Sequence, residues 1–206
     1  LEFRRVLFRS YPLISGTNVE RDFVELPSQL FEHWLLEPEV LRVFARHCET
    51  NEPISPEIIN RIIESNRFNQ GFNTVEFCAS ALIDMKIHQQ TDIESLDLNK
   101  FETEQLKLIG MPEGIVMRHR LPHFAHIFSG DGYSAGYYSY LWAETLDADA
   151  FEAFKEASDI FNLDISQKLK KHIYEAGGAQ EATAAYINFR GRIPTTDPLL
   201  RQKGFL

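Results

Sequence analysis

Apolar residues spaced three and four apart, in stretches that Gly and Pro interrupt, restrict the fold of this sequence more than any other feature. With 3.6 residues per turn, such spacing gives each segment one apolar stripe, which is buried by packing against other helices. The expected fold class is therefore mainly α. Over about residues 21–37 the stripe is Phe23, Leu26, Leu30 and Trp34, with Glu25, Gln29 and Glu32 on a neighbouring face. Pro27 is tolerated there only in a first turn. A short helix is expected over residues 40–48. Ser55 followed by Pro56 and Glu57 reads as an N-cap with Pro at the first helical position. Residues 69–90 read as a long buried helix carrying Val75, Phe77, Cys78, Ala81, Leu82 and Met85.

Between about residues 109 and 129 the pattern breaks, because Gly110, Pro112, Gly114 and Pro122 exclude one continuous helix. An irregular, functional-looking loop is expected there. Beyond Gly132 an aromatic-rich helix is expected over 133–145, followed by helices near 148–161, 165–176 and 180–189 and coil over 190–194. There is no internal repeat.

The 206 residues are 44% hydrophobic and 12% aromatic, enough apolar material for a buried core. A net charge of −9 and a pI near 5.3 argue against a nucleic-acid or anionic-membrane partner, since phosphates attract clustered Lys and Arg. The longest apolar run falls short of the roughly 20 residues that span a bilayer. A cytoplasmic location is the expectation. Cys48 and Cys78 lack metal-ligand spacing and are expected to be buried thiols.

Two strings carry more than periodicity. Residues 15–29 (SGTNVERDFVELPSQ) form a polar loop entering a helix, where an acid such as Glu25 complements the helix dipole. Residues 126–142 (HIFSGDGYSAGYYSYLW) place glycines ahead of a Tyr-rich segment. That segment suits core packing, or close approach of backbone to a ligand. The spacing of His119, His123 and His126 would place three imidazoles on one helical face, but Pro122 lies among them and argues against a metal site. His33, His47, His88 and His172 read as hydrogen-bonded or exposed.

Both strings resemble peptidase family M3, the zinc metallopeptidases that include thimet oligopeptidase, and specifically its peptidyl-dipeptidase branch. The resemblance runs from Tyr11 to Leu206 and takes in FARH at 44–47, FNQGFNTVE at 68–76, ASALIDM at 79–85 and FRGRIP at 189–194. It implies the C-terminal helical part of the M3 catalytic domain, one wall of a channel for short unfolded peptides, with an irregular substrate-binding loop. Glu25 matches the family's third zinc ligand; a catalytic zinc takes three protein ligands and keeps a fourth position open. The family's other two ligands and its general base come from an HExxH helix, which the register places immediately before Leu1.

The resemblance assigns His126, Tyr133 and Tyr140 to peptide binding and oxyanion stabilisation, where a phenol or imidazole donor meets charge that develops in the transition state. Gly132 belongs to the same substrate loop. Arg190 and Arg192 are candidates either for holding a peptide's C-terminal carboxylate through a bidentate pair or for a structural salt bridge. Residues 1–10 (LEFRRVLFRS) depart from the family, with Phe3 where a His is expected, and are set apart from a peptidase part spanning 11–206. The parent is expected to bind one zinc ion, hydrolyse short oligopeptides and release C-terminal dipeptides. An endo-acting oligopeptidase and a non-catalytic helical peptide-binding module are the alternatives. The expected partners are short peptides and the remainder of the peptidase chain. The chain by itself is expected to be inactive, because one carboxylate does not replace three ligands.

Overall fold

The computed structural model describes residues 12–206, and the atypical segment 1–10 lies outside them. Its helices are α1 (Leu26–Leu36), α2 (Pro38–Phe44), α3 (Pro56–Arg67), α4 (Gln70–Ile87), α5 (Leu98–Leu108), α6 (Ala125–Phe128), α7 (Ser139–Glu156), α8 (Leu163–Leu169), α9 (Ala182–Arg190) and α10 (Asp197–Lys203). Among the described residues β structure is limited to an isolated bridge between Arg46 and Pro53. The mainly α expectation holds. No helix among the described residues is long and apolar enough to cross a membrane.

The described chain divides into two compact units, residues 12–68 with 141–206, and Asn69–Tyr140. The first unit closes around Leu26 and Leu30 of α1, Phe151 and Phe154 of α7, and Ile173, Tyr186 and Phe189. Leu26 and Leu30 are fully buried, each contributing about 1.5–3 kcal/mol of apolar transfer. Trp34 packs edge-on against Phe151 and Phe154, and its indole N–H donates to the Ile160 carbonyl at 2.8 Å. The second unit has its own core of Ile83, Ile87, Phe101, Met117, Leu121, Phe124 and Ile127.

Caps set several helix starts. Ser55 accepts from the Ile58 N–H ahead of α3, as expected. The Asp97 carboxylate accepts from Asn99 and Lys100, and the Glu181 carboxylate from Thr183 and Ala184. Gly191 and Gly204 end α9 and α10 in left-handed conformations that favour glycine.

The structure revises several boundaries. The first helix begins at Leu26, with residues 21–25 in turns, because Pro27 belongs to its first turn and lacks an N–H for an earlier one. The second is shorter than expected, spanning Pro38–Phe44. The long helix runs over Gln70–Ile87, since Asn69 adopts a left-handed φ of 60°. Its buried face is Ala79, Ser80, Ala81, Ile83, Asp84 and Ile87, whereas Val75, Leu82 and Met85 are exposed.

The helices expected over 133–145 and 148–161 are instead turns followed by one continuous helix, Ser139–Glu156. Ala135, at φ 54°, stops any helix from starting at Tyr133. The segment expected over 165–176 is α8 followed by a π-turn over Lys170–Tyr174. Helices α5 and α10 had no counterpart in the sequence reading. Cys48 is exposed rather than buried, and neither cysteine is in a disulfide.

Candidate active site

The short helix α6, the turns that follow it and the first turn of α7 bring His126, Tyr133 and Tyr140 together. His126 Nε2 lies 2.8 Å from the Tyr140 hydroxyl. The His126 and Tyr133 rings are 4.4 Å apart, and the Tyr133 and Tyr140 rings stack nearly parallel at 5.4 Å. A cleft of about 450 Å³ opens beside them, lined by Ala125, His126, Ser129, Gly130, Gly132 and Tyr133. The expected Gly132 contribution is therefore part of the cleft wall. An imidazole and two phenols on one rim can all donate to an anionic oxygen. His119, His123 and His126 do not share a helix: Pro122 sits in a 3₁₀ turn over Leu121–His123, and His126 belongs to α6.

Tyr137 supports this rim from below. Its ring stacks on Phe77 at 5.1 Å and meets Phe124 edge-on at 4.9 Å. Burial pushes its hydroxyl pKa above the ordinary phenol value, with the Arg118 charge opposing. Its backbone N–H donates to Asp84 Oδ2 at 2.8 Å, and the Ala135 N–H donates to Asp84 Oδ1 at 3.0 Å. His88 Nδ1 lies 2.8 Å from the same carboxylate. One ring nitrogen cannot both donate to Asp84 and accept from Ala135; the shorter contact gives the Ala135 N–H to the carboxylate, and the His88 Nδ1–H is shared between that carboxylate and the Asp84 carbonyl at 2.9 Å. Asp84 is fully buried. Sequence reasoning quoted Asp84 only as part of a string; its signal was an acid within an otherwise small and apolar helix face.

Glu25 and Arg192 belong to the other unit. Glu25 is the N-cap of α1, and Ser28 Oγ donates to its carbonyl at 2.9 Å and its carboxylate at 3.2 Å. The side chain is half-buried at the N-terminal end of the helix, where its carboxyl oxygens are placed to act as a ligand. Among the described residues no group of three His, Cys, Asp or Glu side chains is placed to hold a metal. Ahead of Glu25, the loop over 15–20 packs against Gly178, where an added Cβ would meet the Asn18 carbonyl at 2.9 Å. A cavity of about 670 Å³ nearby is lined by Asn18, Val19, Glu20, Phe23 and residues 177–182, none of them an expected site residue.

Arg190 and Arg192 both reach the fully buried Asp149. Arg190 Nε donates to it at 3.3 Å and the two terminal nitrogens grip Glu156 at 2.7 and 2.6 Å, so Arg190 is a structural ion pair. Arg192 donates to Asp149 at 2.7 Å and to the Ile193 carbonyl at 2.9 Å, and its side chain stays 40% exposed. Tyr186 and Thr195 complete the ring of donors at 2.7 and 3.1 Å. Burial alone would raise the Asp149 carboxyl, but the hydrogen bonds from Arg192 and Tyr186 and the charges of both guanidinium groups outweigh it and hold it below the usual carboxylate range.

Comparison with known proteins adds lineage to this geometry. The family model described as "Peptidase family M3" matches residues 8–205. The chain is 34% identical over 197 residues to a dipeptidyl carboxypeptidase of Salmonella typhimurium, covering 94% of this chain and 28% of that protein. It is 33% identical over 200 residues to the dipeptidyl carboxypeptidase of Escherichia coli, with the same coverage. Against oligopeptidase A of Haemophilus influenzae identity is 38% over 199 residues, again 94% and 28%. The chain thus spans a little over a quarter of the length of these curated relatives.

Proposed function

The chain belongs to peptidase family M3, and on that premise we propose that it forms part of a zinc-dependent cytoplasmic peptidase that cleaves short oligopeptides and releases C-terminal dipeptides. The observation that carries the reading is the clustering of His126, Tyr133 and Tyr140, with His126 and Tyr133 lining one cleft and Tyr140 packed against both. Those three residues were expected from the family resemblance to act on substrate.

The fit of zinc to this chain is that of a shared site. Glu25 offers one half-buried oxygen ligand, and the sequence contains no HExxH. The remaining ligands come from outside the described residues, in the remainder of the peptidase chain. When bound, zinc supplies Lewis-acid polarisation of the scissile carbonyl. Tyr133 and Tyr140 would donate hydroxyl hydrogen bonds to a substrate oxygen on which charge develops, and His126 holds the Tyr140 hydroxyl in place through the 2.8 Å contact. Gly132 leaves the cleft wall without a side chain, so an extended peptide approaches the loop backbone. Arg192, 40% exposed and held by Asp149 and the Ile193 carbonyl, offers its remaining N–H hydrogens to a peptide C-terminal carboxylate.

The test compares zinc content and peptide hydrolysis of this chain with those of a version extended upstream through an HExxH segment. We expect the extended protein alone to bind about one zinc ion per chain and to cleave. If neither version binds zinc or cleaves, the peptidase reading fails and a non-catalytic peptide-binding module takes its place.

A further inference from the structure

We propose that Asp84, with His88 beside it, is the positioning residue that fixes the tyrosine-bearing loop and so sets Tyr133 in the cleft wall with Tyr140 stacked beside it. The inference rests on reading that cleft as the peptide site. It starts from an imbalance. Asp84 has no exposed surface, and the other buried residues of α4 are Ala79, Ser80, Ala81, Ile83 and Ile87, of which only Ser80 is polar. A carboxylate placed there is tolerated only if its oxygens are fully met.

They are met by two main-chain N–H groups together with the His88 imidazole. The N–H groups of Ala135 and Tyr137 reach the two oxygens at 3.0 and 2.8 Å, and His88 adds a third contact at 2.8 Å. Two N–H groups flanking Gly136 converge on one acid because Ala135 adopts φ 54°, disfavoured for a residue with a Cβ. Left-handed turns of this kind aim near-successive N–H groups into one concavity that takes an anion. Here the anion is Asp84.

The flanked residue connects both tyrosines. The Gly136 N–H donates to the Tyr133 carbonyl at 2.9 Å, and the Gly136 carbonyl accepts from Ser139 at 3.1 Å, one residue before Tyr140. A side chain at Gly136 would press on the Tyr133 backbone at 3.3 Å. Ser134 also donates within this region, to the Ile127 and Gly130 carbonyls, through neutral bonds 3.3 Å long. Charge-assisted bonds are the stronger class, so the loop's conformation follows Asp84.

The test uses hydrogen exchange of the full chain, resolved to single amides, with ¹³C-labelled tyrosine rings and titration of a fluorescent hexapeptide. Asp84→Asn keeps the shape but turns one acceptor into a donor facing an N–H. We expect exchange at Ala135 and Tyr137 to rise by about tenfold or more, while the α7 amides keep their rates. The Tyr133 and Tyr140 ring signals shift and hexapeptide affinity drops.

Unchanged exchange at both amides in a folded Asp84→Asn chain overturns the proposal. If that variant does not fold, the unaltered chain decides. Its Ala135 and Tyr137 amides must exchange about tenfold more slowly than those of Asp131 and Gly132, and equal rates overturn the proposal. Slow exchange that Asp84→Asn abolishes, in a chain whose unaltered form binds no hexapeptide, upholds the anchor and removes the peptide-site reading instead.

Discussion

His33 and Asp147 meet at 2.6 Å, joining α1 to α7 inside the first unit, and the imidazole lies flat on Phe151 at 4.9 Å. Burial raises the Asp147 carboxyl from 3.8 to about 6; the bond and charge of His33 oppose the rise, while Glu144 and Glu32 reinforce it. A carboxyl whose pKa is higher in the folded state binds its proton more tightly there. Its contribution to stability is fully present below the unfolded value near 4 and is lost as pH rises through about 6. Asp147→Asn keeps an acceptor for the imidazole and removes the titration. Relative to this variant, the unaltered protein should lose up to about 3 kcal/mol between pH 4 and pH 7. Urea unfolding of both proteins across that range measures it, and parallel pH profiles would refute it.

Tyr140→Phe removes the hydroxyl that His126 orients. In the extended, zinc-loaded protein, kcat should fall by about 10²- to 10³-fold with little change in KM, because the lost bond acts mainly on developing charge. Steady-state kinetics on one hexapeptide decides the matter; a loss confined to KM would move Tyr140 from the chemistry to ground-state binding.

Gly178→Ala should destabilise the chain by about 1–3 kcal/mol, because the new Cβ lands 2.9 Å from the Asn18 carbonyl and 3.3 Å from Ile14. Gly71 provides the contrast: it lies in the first turn of α4 with open space around a built Cβ, so Gly71→Ala should be stabilising, by at most about 0.5 kcal/mol. Thermal unfolding of the two variants in parallel checks both signs.

What was legible in the sequence was local. Ser55 followed by Pro56 announced a helix start and the structure places it there, since an N-cap and its acceptor lie within three residues. The aromatic string around Tyr133 pointed to a cluster that the fold assembles. Its secondary structure was misread, because nothing nearby in sequence reveals that Ala135 is held left-handed from 51 residues away. The same reason divided α7 in two. Asp147 and Asp149 look like poor material for a helix interior until His33, Tyr186, Arg190 and Arg192 supply their partners. Acids on a buried face mark long-range bonds, and their partners are invisible to periodicity.

The Asp84 contacts also bear on how such a loop can diverge. The carboxylate grips two amide hydrogens and no side chain of the segment it holds. Substitutions that keep the backbone turn at Ala135 therefore leave those two bonds in place, and side chains along the cleft can change without altering how the loop is held. Gly136 is held to its small size by its closeness to the Tyr133 backbone. Lineages that share this acid can drift widely in loop sequence while presenting the same pair of phenols.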